Sequence, residues 1–235
     1  LKVNYPKPNF PKAFELCKKA CPGVKKCNKN GLLFYNDYFY KCPLYETHQK
    51  ITRIQKQLDQ SIPEELKGVT MENYTPQTQT QQKLIETVGR YFEKKAWRNG
   101  KGLIICGPNG VGKTHVAVAI YKKLIGQNVT AAFARPKLDG GFHEIEEHYK
   151  MLAAPKVLIY DDFGPELERD FILNHLFNLF DKRVNSKKGL IGTTNLKSVA
   201  LKYKFGTKIF SRLSKDNFFL QIDGEDFREK KRELF

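Results

Sequence analysis

The chain has 235 residues, and its 41 Lys and Arg against 25 Asp and Glu give a formal charge of +16 at pH 7. That length accommodates one or two domains with a genuine hydrophobic core. No run approaches the roughly 18 apolar residues that a membrane helix requires, and the opening LKVNYPKPNF lacks an apolar secretory core. A cytoplasmic protein with no membrane segment is therefore expected.

The basic excess is uneven. Residues 1–70 and residues 183–235 each carry 13 basic and 6 acidic side chains, while residues 71–182 carry 15 and 13. Two basic ends flank a near-neutral middle. Such ends suit a polyanion such as nucleic acid, through phosphate contacts and counterion release. They serve equally well as a solvated surface that keeps the protein in solution.

In chain order, the first feature is a cysteine cluster: Cys17, Cys21, Cys27 and Cys42. Without a secretion signal, clustered thiols point to Zn²⁺ before disulfides, with free buried thiols as the alternative. Four thiolates close a tetrahedral structural site, which a module with so thin a core needs. Phe34, Tyr35, Tyr38, Phe39 and Tyr40 crowd the loop before Cys42, some for that core and the rest for a partner surface. Ile51, Ile54 and Leu58 then recur at helical spacing. The expected boundary separates a cysteine module, 1–60, from a larger domain, 61–235.

TPQTQTQQ at 75–82 reads as polar connecting chain, with Pro76 as a breaker. Leu84, Val88, Tyr91, Phe92 and Trp97 predict an amphipathic helix ending near Asn99-Gly100. Short apolar runs at Leu103–Cys106, Val129–Phe133, Val157–Tyr160 and Leu190-Ile191 predict strands. Helical stretches follow the first, HVAVAIYKKLI, and the third, near Ile172–Val184. Strands alternating with helices predict a parallel α/β sheet.

Between the first of these strands and its helix lies Gly107-Pro108-Asn109-Gly110-Val111-Gly112-Lys113-Thr114, a full match to G-x-x-x-x-G-K-[ST], with His115 next. The glycines let the backbone curl so that successive N–H groups face phosphate oxygens. The helix start adds its positive dipole end. Lys113 is expected to reach the β- and γ-phosphates of ATP, and the Thr114 hydroxyl to ligate Mg²⁺. The strand VLIY ends in Asp161-Asp162. A strand lying beside the phosphate-loop strand delivers its carboxyl end to the same crevice. Asp161 is then expected to hold Mg²⁺, and Asp162 to polarise the attacking water. Thr193-Thr194-Asn195 ends another strand, where Asn195 can meet the γ-phosphate or that water, or simply form an Asx turn.

On GPNGVGKT, VLIYDDFG, IGTTNL, the SIPEELKGVTMENY segment and the basic carboxyl-terminal stretch, residues 61–235 resemble the DnaC/DnaI class of AAA+ ATPases. The resemblance implies an αβα nucleotide domain with Asn195 as its first sensor residue. It implies a second sensor, Arg228, in Glu225-Asp226-Phe227-Arg228. It also implies an arginine finger reaching a neighbouring protomer, so that hydrolysis needs self-association in the ATP state. In FGTKIFSRL, Lys208 stands at one position where relatives carry Arg, while Arg212 is the nearer match to a Ser-Arg finger. ARPKLDGG, 134–141, is shorter than the helical segment relatives carry there. The function implied is ATP-dependent loading of a hexameric DnaB-type replicative helicase onto single-stranded DNA, with the zinc module binding the helicase. A transposition helper of the IstB type and a non-hydrolysing, nucleotide-switched adaptor are the alternatives.

Overall fold

The computed structural model describes residues 31–35, 38–42, 45, 49, 53, 62–164 and 170–227. The chain divides into two compact units, Leu1–Ile54 and Gln55–Phe235.

In the first unit, the aromatic segment expected to be a loop is a pair of strands. β1 (Leu32–Tyr35) and β2 (Tyr38–Lys41) run antiparallel, Leu32 opposite Lys41 and Tyr35 opposite Tyr38. The reason is local: runs of Tyr and Phe favour a pleated, half-buried surface. The bond from Cys42 N to Gly31 O, 2.7 Å, continues the pairing, and Cys42 is buried with a free thiol. Cys17, Cys21 and Cys27 lie outside the described residues, as does most of the helix expected from Ile51 to Leu58.

The second unit is built on five parallel strands: β3 (Gly102–Cys106), β4 (Ala131–Ala134), β5 (Val157–Tyr160), β6 (Gly189–Thr194) and β7 (Asn217–Gln221). Their order is β4-β5-β6-β3-β7. Every residue of β3 to β6 is buried, which is why β3, β4 and β5 read as apolar runs and not as alternating ones. β7, missing from the sequence reading, is a half-exposed edge strand that pairs beside β3.

Helices cover both faces. α1 (Gln79–Glu93) and α2 (Lys113–Gly126) share one core with Leu103, Ile105, Phe133, Ile159 and Ile191. On the opposite face lie α3 (Phe142–Leu152), α4 (Asp170–Asn185) and α5 (Ser198–Lys215). Tyr149 of α3 meets the Tyr160 hydroxyl at 3.2 Å, and Phe205 of α5 packs on Phe163. α5 is broken at Gly206, where φ is 70°.

α1 starts inside the stretch read as connecting chain. Thr78 caps it by accepting from Gln81 N, and the fully buried Gln81 accepts from Gln77 N and donates to Asp223 O and Val111 O. The polar sequence there is a clamp on the loop after β3. A second buried polar group, Arg183 of α4, donates to the carbonyls of Leu152, Pro155, Lys156 and Gly189. It ties the chain entering β5 to the chain entering β6.

Candidate functional site

The register sets the site. Ala134 pairs with Tyr160, Tyr160 with Gly192 and Cys106 with Thr194, so four strands end on one edge. A cleft of about 680 Å³ opens there, a size suited to a nucleotide. The residues lining it include Asn109, Gly110, Gly112, Lys113, Thr114, His115, Arg135, Asp162 and Asn195. On its other side lie Leu66, Tyr74 and Gln77 from the chain before α1, and Phe227.

The loop 107–112 joins β3 to α2. Gly110 (φ 72°) and Gly112 (φ 91°) take left-handed backbone that side chains disfavour, and a Cβ on Gly110 would collide with the Asp226 carboxylate. Val111 points the other way, into the core, where its carbonyl accepts from Gln81. Lys113 is buried, its ammonium donating to Gly107 O at 2.9 Å and Pro108 O at 2.5 Å. These bonds hold the lysine across the mouth of its own loop. Gly107 N is bound to Thr194 O, and Phe227 N to Gly110 O, so β6 and the carboxyl-terminal segment both brace the loop.

Asp161 and Asp162 have opposite surroundings. Asp161 is fully buried: Oδ1 accepts the Thr193 hydroxyl at 2.7 Å, and Oδ2 faces Arg135. Asp162 lines the cleft, with φ at 56°. Backbone strain of this kind persists only where neighbours enforce it. Here Thr193 Oγ1 accepts from Asp162 N at 2.8 Å, and Asn195 Nδ2 donates to Asp162 Oδ1 at 3.0 Å. Asn195 is therefore joined to the second acid.

His115 packs its ring 5.2 Å from Tyr74, and burial lowers its pKa. Its Nε2 is buried at the cleft without a partner among the described residues. Burial also pushes Tyr74 up to about 12 and the Cys106 thiol up to about 11. Cys106 is thus an inert, space-filling residue below the loop.

The remaining expected site residues lie elsewhere. Arg212 on α5 is tied to Asp181 of α4, Nε to Oδ1 2.6 Å, and Lys208 lies 4.3 Å from the Phe177 ring centroid. Neither is among the residues lining the cleft. Arg228 lies outside the described residues. Arg135, Thr193 and Gln81 were given no role from sequence, Thr193 being named only in the strand end before Asn195. The first two are strand-end polar residues, which is the signal that could have found them.

Thr114 and Asp162 at the cleft, with Asp161 behind Arg135, form an all-oxygen donor set. Such a set fits a hard divalent cation shared with phosphates. Among the described residues no cluster of three His, Cys, Asp or Glu forms a separate metal site. No helix among them is long and apolar enough to cross a membrane.

A family model described as IstB-like ATP binding protein matches residues 46–234. The replicative helicase loader DnaC of Buchnera aphidicola (Schizaphis graminum) is 27% identical over 192 residues, 77% of this chain and 78% of that protein. A putative ATP-binding protein in an insertion sequence of Mycobacterium tuberculosis is 28% identical over 145 residues, 57% of this chain and 58% of that protein. The crystal structure of the DnaC helicase loader superposes with a TM-score of 0.59 at 23% identity, covering 68% of this chain and 99% of that one. The fold is that of an AAA+ P-loop domain.

Proposed function

The chain belongs to the IstB-like ATP binding protein family, and from that premise we propose that it hydrolyses ATP with Mg²⁺ and uses the cycle to load a hexameric replicative helicase onto single-stranded DNA. One observation carries the hydrolytic part: Lys113, Thr114, Asp162 and Asn195 converge on one cleft from three strand ends and a helix start. The similarity to DnaC along three quarters of the chain supports the loader part.

Each residue has a task that follows from its place. The loop amides and the α2 amino terminus cradle the phosphates. Lys113 exchanges its carbonyl partners for β- and γ-phosphate oxygens. Thr114 and Asp161 would hold Mg²⁺, which when bound would neutralise charge building on the transferred phosphoryl group. Asp162 accepts a proton from the attacking water as its oxygen bonds to the γ-phosphorus and the bond to ADP breaks. Asn195 holds the Asp162 carboxylate and orients that water. Arg212 or Lys208 acts on a neighbouring protomer's nucleotide and Arg228 on the chain's own, so turnover depends on self-association. Cys17, Cys21, Cys27 and Cys42 hold one structural Zn²⁺ in a helicase-binding module, and the protein works in the cytoplasm.

A transposition helper is the second reading, favoured by the insertion-sequence relative. Size-exclusion chromatography of the full chain with a hexameric replicative helicase, in ATP and in ADP, separates the two. Co-elution supports loading, and its absence with both nucleotides sinks it. DNA-stimulated phosphate release with Lys113→Ala as the blank tests the enzyme. If wild type is no faster than the blank, a nucleotide-switched adaptor remains.

A further inference from the structure

β4 ends at Ala134, whose carbonyl accepts from Asp161 N at 2.8 Å. This bond sets the next residue, Arg135, beside the Asp161 carboxylate. Both Nε and Nη2 of Arg135 lie 3.1 Å from the same oxygen, Oδ2. Thr193 occupies Oδ1. Asp161 has no exposed surface, so its charge requires a partner cation. Arg135 is 43% exposed and lines the cleft beside Lys113, Thr114 and Asp162. One guanidinium thus faces a buried carboxylate on one side and the space for a polyphosphate on the other.

We propose that Arg135 and the nucleotide's divalent cation compete for Asp161 Oδ2, so that a metal–triphosphate moves Arg135 from the carboxylate to phosphate. The proposal rests on the nucleotide reading above. A divalent ion at Oδ2 and a guanidinium on the same oxygen repel each other strongly at low dielectric. The planar fork of Arg matches phosphate oxygens as well as it matches carboxylate, so the displaced cation gains a partner within reach. Thr193 keeps Oδ1 throughout, holding the carboxylate in place during the exchange. A triphosphate offers Arg135 more acceptors than a diphosphate, so metal binding and recognition of the γ-phosphate become coupled. Arg135 is a positioning residue in this scheme.

The test is titration of fluorescent ATP and ADP into the full chain across a Mg²⁺ series. Arg135→Gln removes the competitor, and the Mg²⁺ concentration for half-maximal binding is expected to fall about tenfold, with a narrower preference for ATP over ADP. An unchanged or higher Mg²⁺ requirement overturns the exchange. Asp161→Asn provides a second arm should the first variant fail to fold, since it neutralises the buried charge and does not strand it. In EDTA its ATP binding is expected to tighten several-fold, because Arg135 is free for phosphate, and equal or weaker binding overturns the proposal. A wild type that binds no nucleotide removes the nucleotide reading itself. Wild-type binding without either shift removes only the exchange.

Discussion

Thr193→Val takes one oxygen atom out of the centre of the site. Thr193 is fully buried on β6, and its hydroxyl donates to Asp161 Oδ1 at 2.7 Å while accepting from Asp162 N at 2.8 Å. Valine keeps the shape, so packing survives and both bonds go. A hydrogen bond to a charged group contributes about 1.5–3 kcal/mol, and a stranded amide costs about 1–3 kcal/mol. Asp162 is exposed, so water can reach its amide and the lower end applies to the second loss. The expected destabilisation is about 3 kcal/mol, a large share of the roughly 5–15 kcal/mol a domain has. The backbone of Asp162, held at a φ of 56°, also loses its anchor. Its carboxylate then drifts from Asn195, and turnover falls with stability. Urea unfolding followed by Trp97 fluorescence measures the first effect. Trp97 is the single tryptophan and is buried against Tyr91 and Phe92. Thr194→Val is the control, since that hydroxyl accepts from Leu196 N at 3.2 Å and touches neither acid. If Thr193→Val costs no more than this control, about 1 kcal/mol, the hydroxyl does not organise the acid pair.

Asp162→Asn is expected to bind nucleotide within a few-fold of wild type and to lose about 10²–10⁴ in phosphate release, the range for a displaced general base; equal loss of binding would assign it to the metal. Arg183→Met strands the four carbonyls its guanidinium serves. It should cost about 3–5 kcal/mol and lower Tm by about 10 °C, read by calorimetry, with nucleotide affinity intact in the folded fraction. Raising salt from about 50 to 200 mM should weaken single-stranded DNA binding by orders of magnitude while nucleotide affinity changes by less than about threefold. Parallel loss of both would mean the nucleotide is held by net charge.

Legibility in the sequence followed chain locality. The phosphate loop is eight consecutive residues whose glycines and Lys-Thr state their own geometry, and it stands where it was expected. Asp161 and Asp162 were legible as a pair with separate roles, but the burial of one and the cleft position of the other were not. It depends on which of them β6 covers, and that is a matter of register between strands some thirty residues apart. Arg135 was hidden for the same reason, because its partner lies 26 residues away. Gln81 and Arg183 were hidden for another. Hydrophobic periodicity assigns polar residues to solvent, and it is blind to a buried amide or guanidinium that donates to carbonyls distant in the chain. β7 escaped because a half-exposed edge strand carries neither clean alternation nor an unbroken apolar run.

The charge of +16 takes a different meaning once the cleft is known. Among the described lining residues, the cations Lys113 and Arg135 meet the carboxylates Glu65 and Asp162, so the cleft is close to neutral within a strongly basic protein. A nucleotide bound there is held by directed groups: loop amides, the start of α2 and a lysine fixed by carbonyls. Such groups act at hydrogen-bond distance and are little screened. Had the basic excess been concentrated in the cleft, any polyphosphate or nucleic-acid end would compete for it. The described lining of the cleft is balanced, so the net surplus of charge is carried by residues other than these. The site therefore selects a nucleotide by geometry and not by net charge.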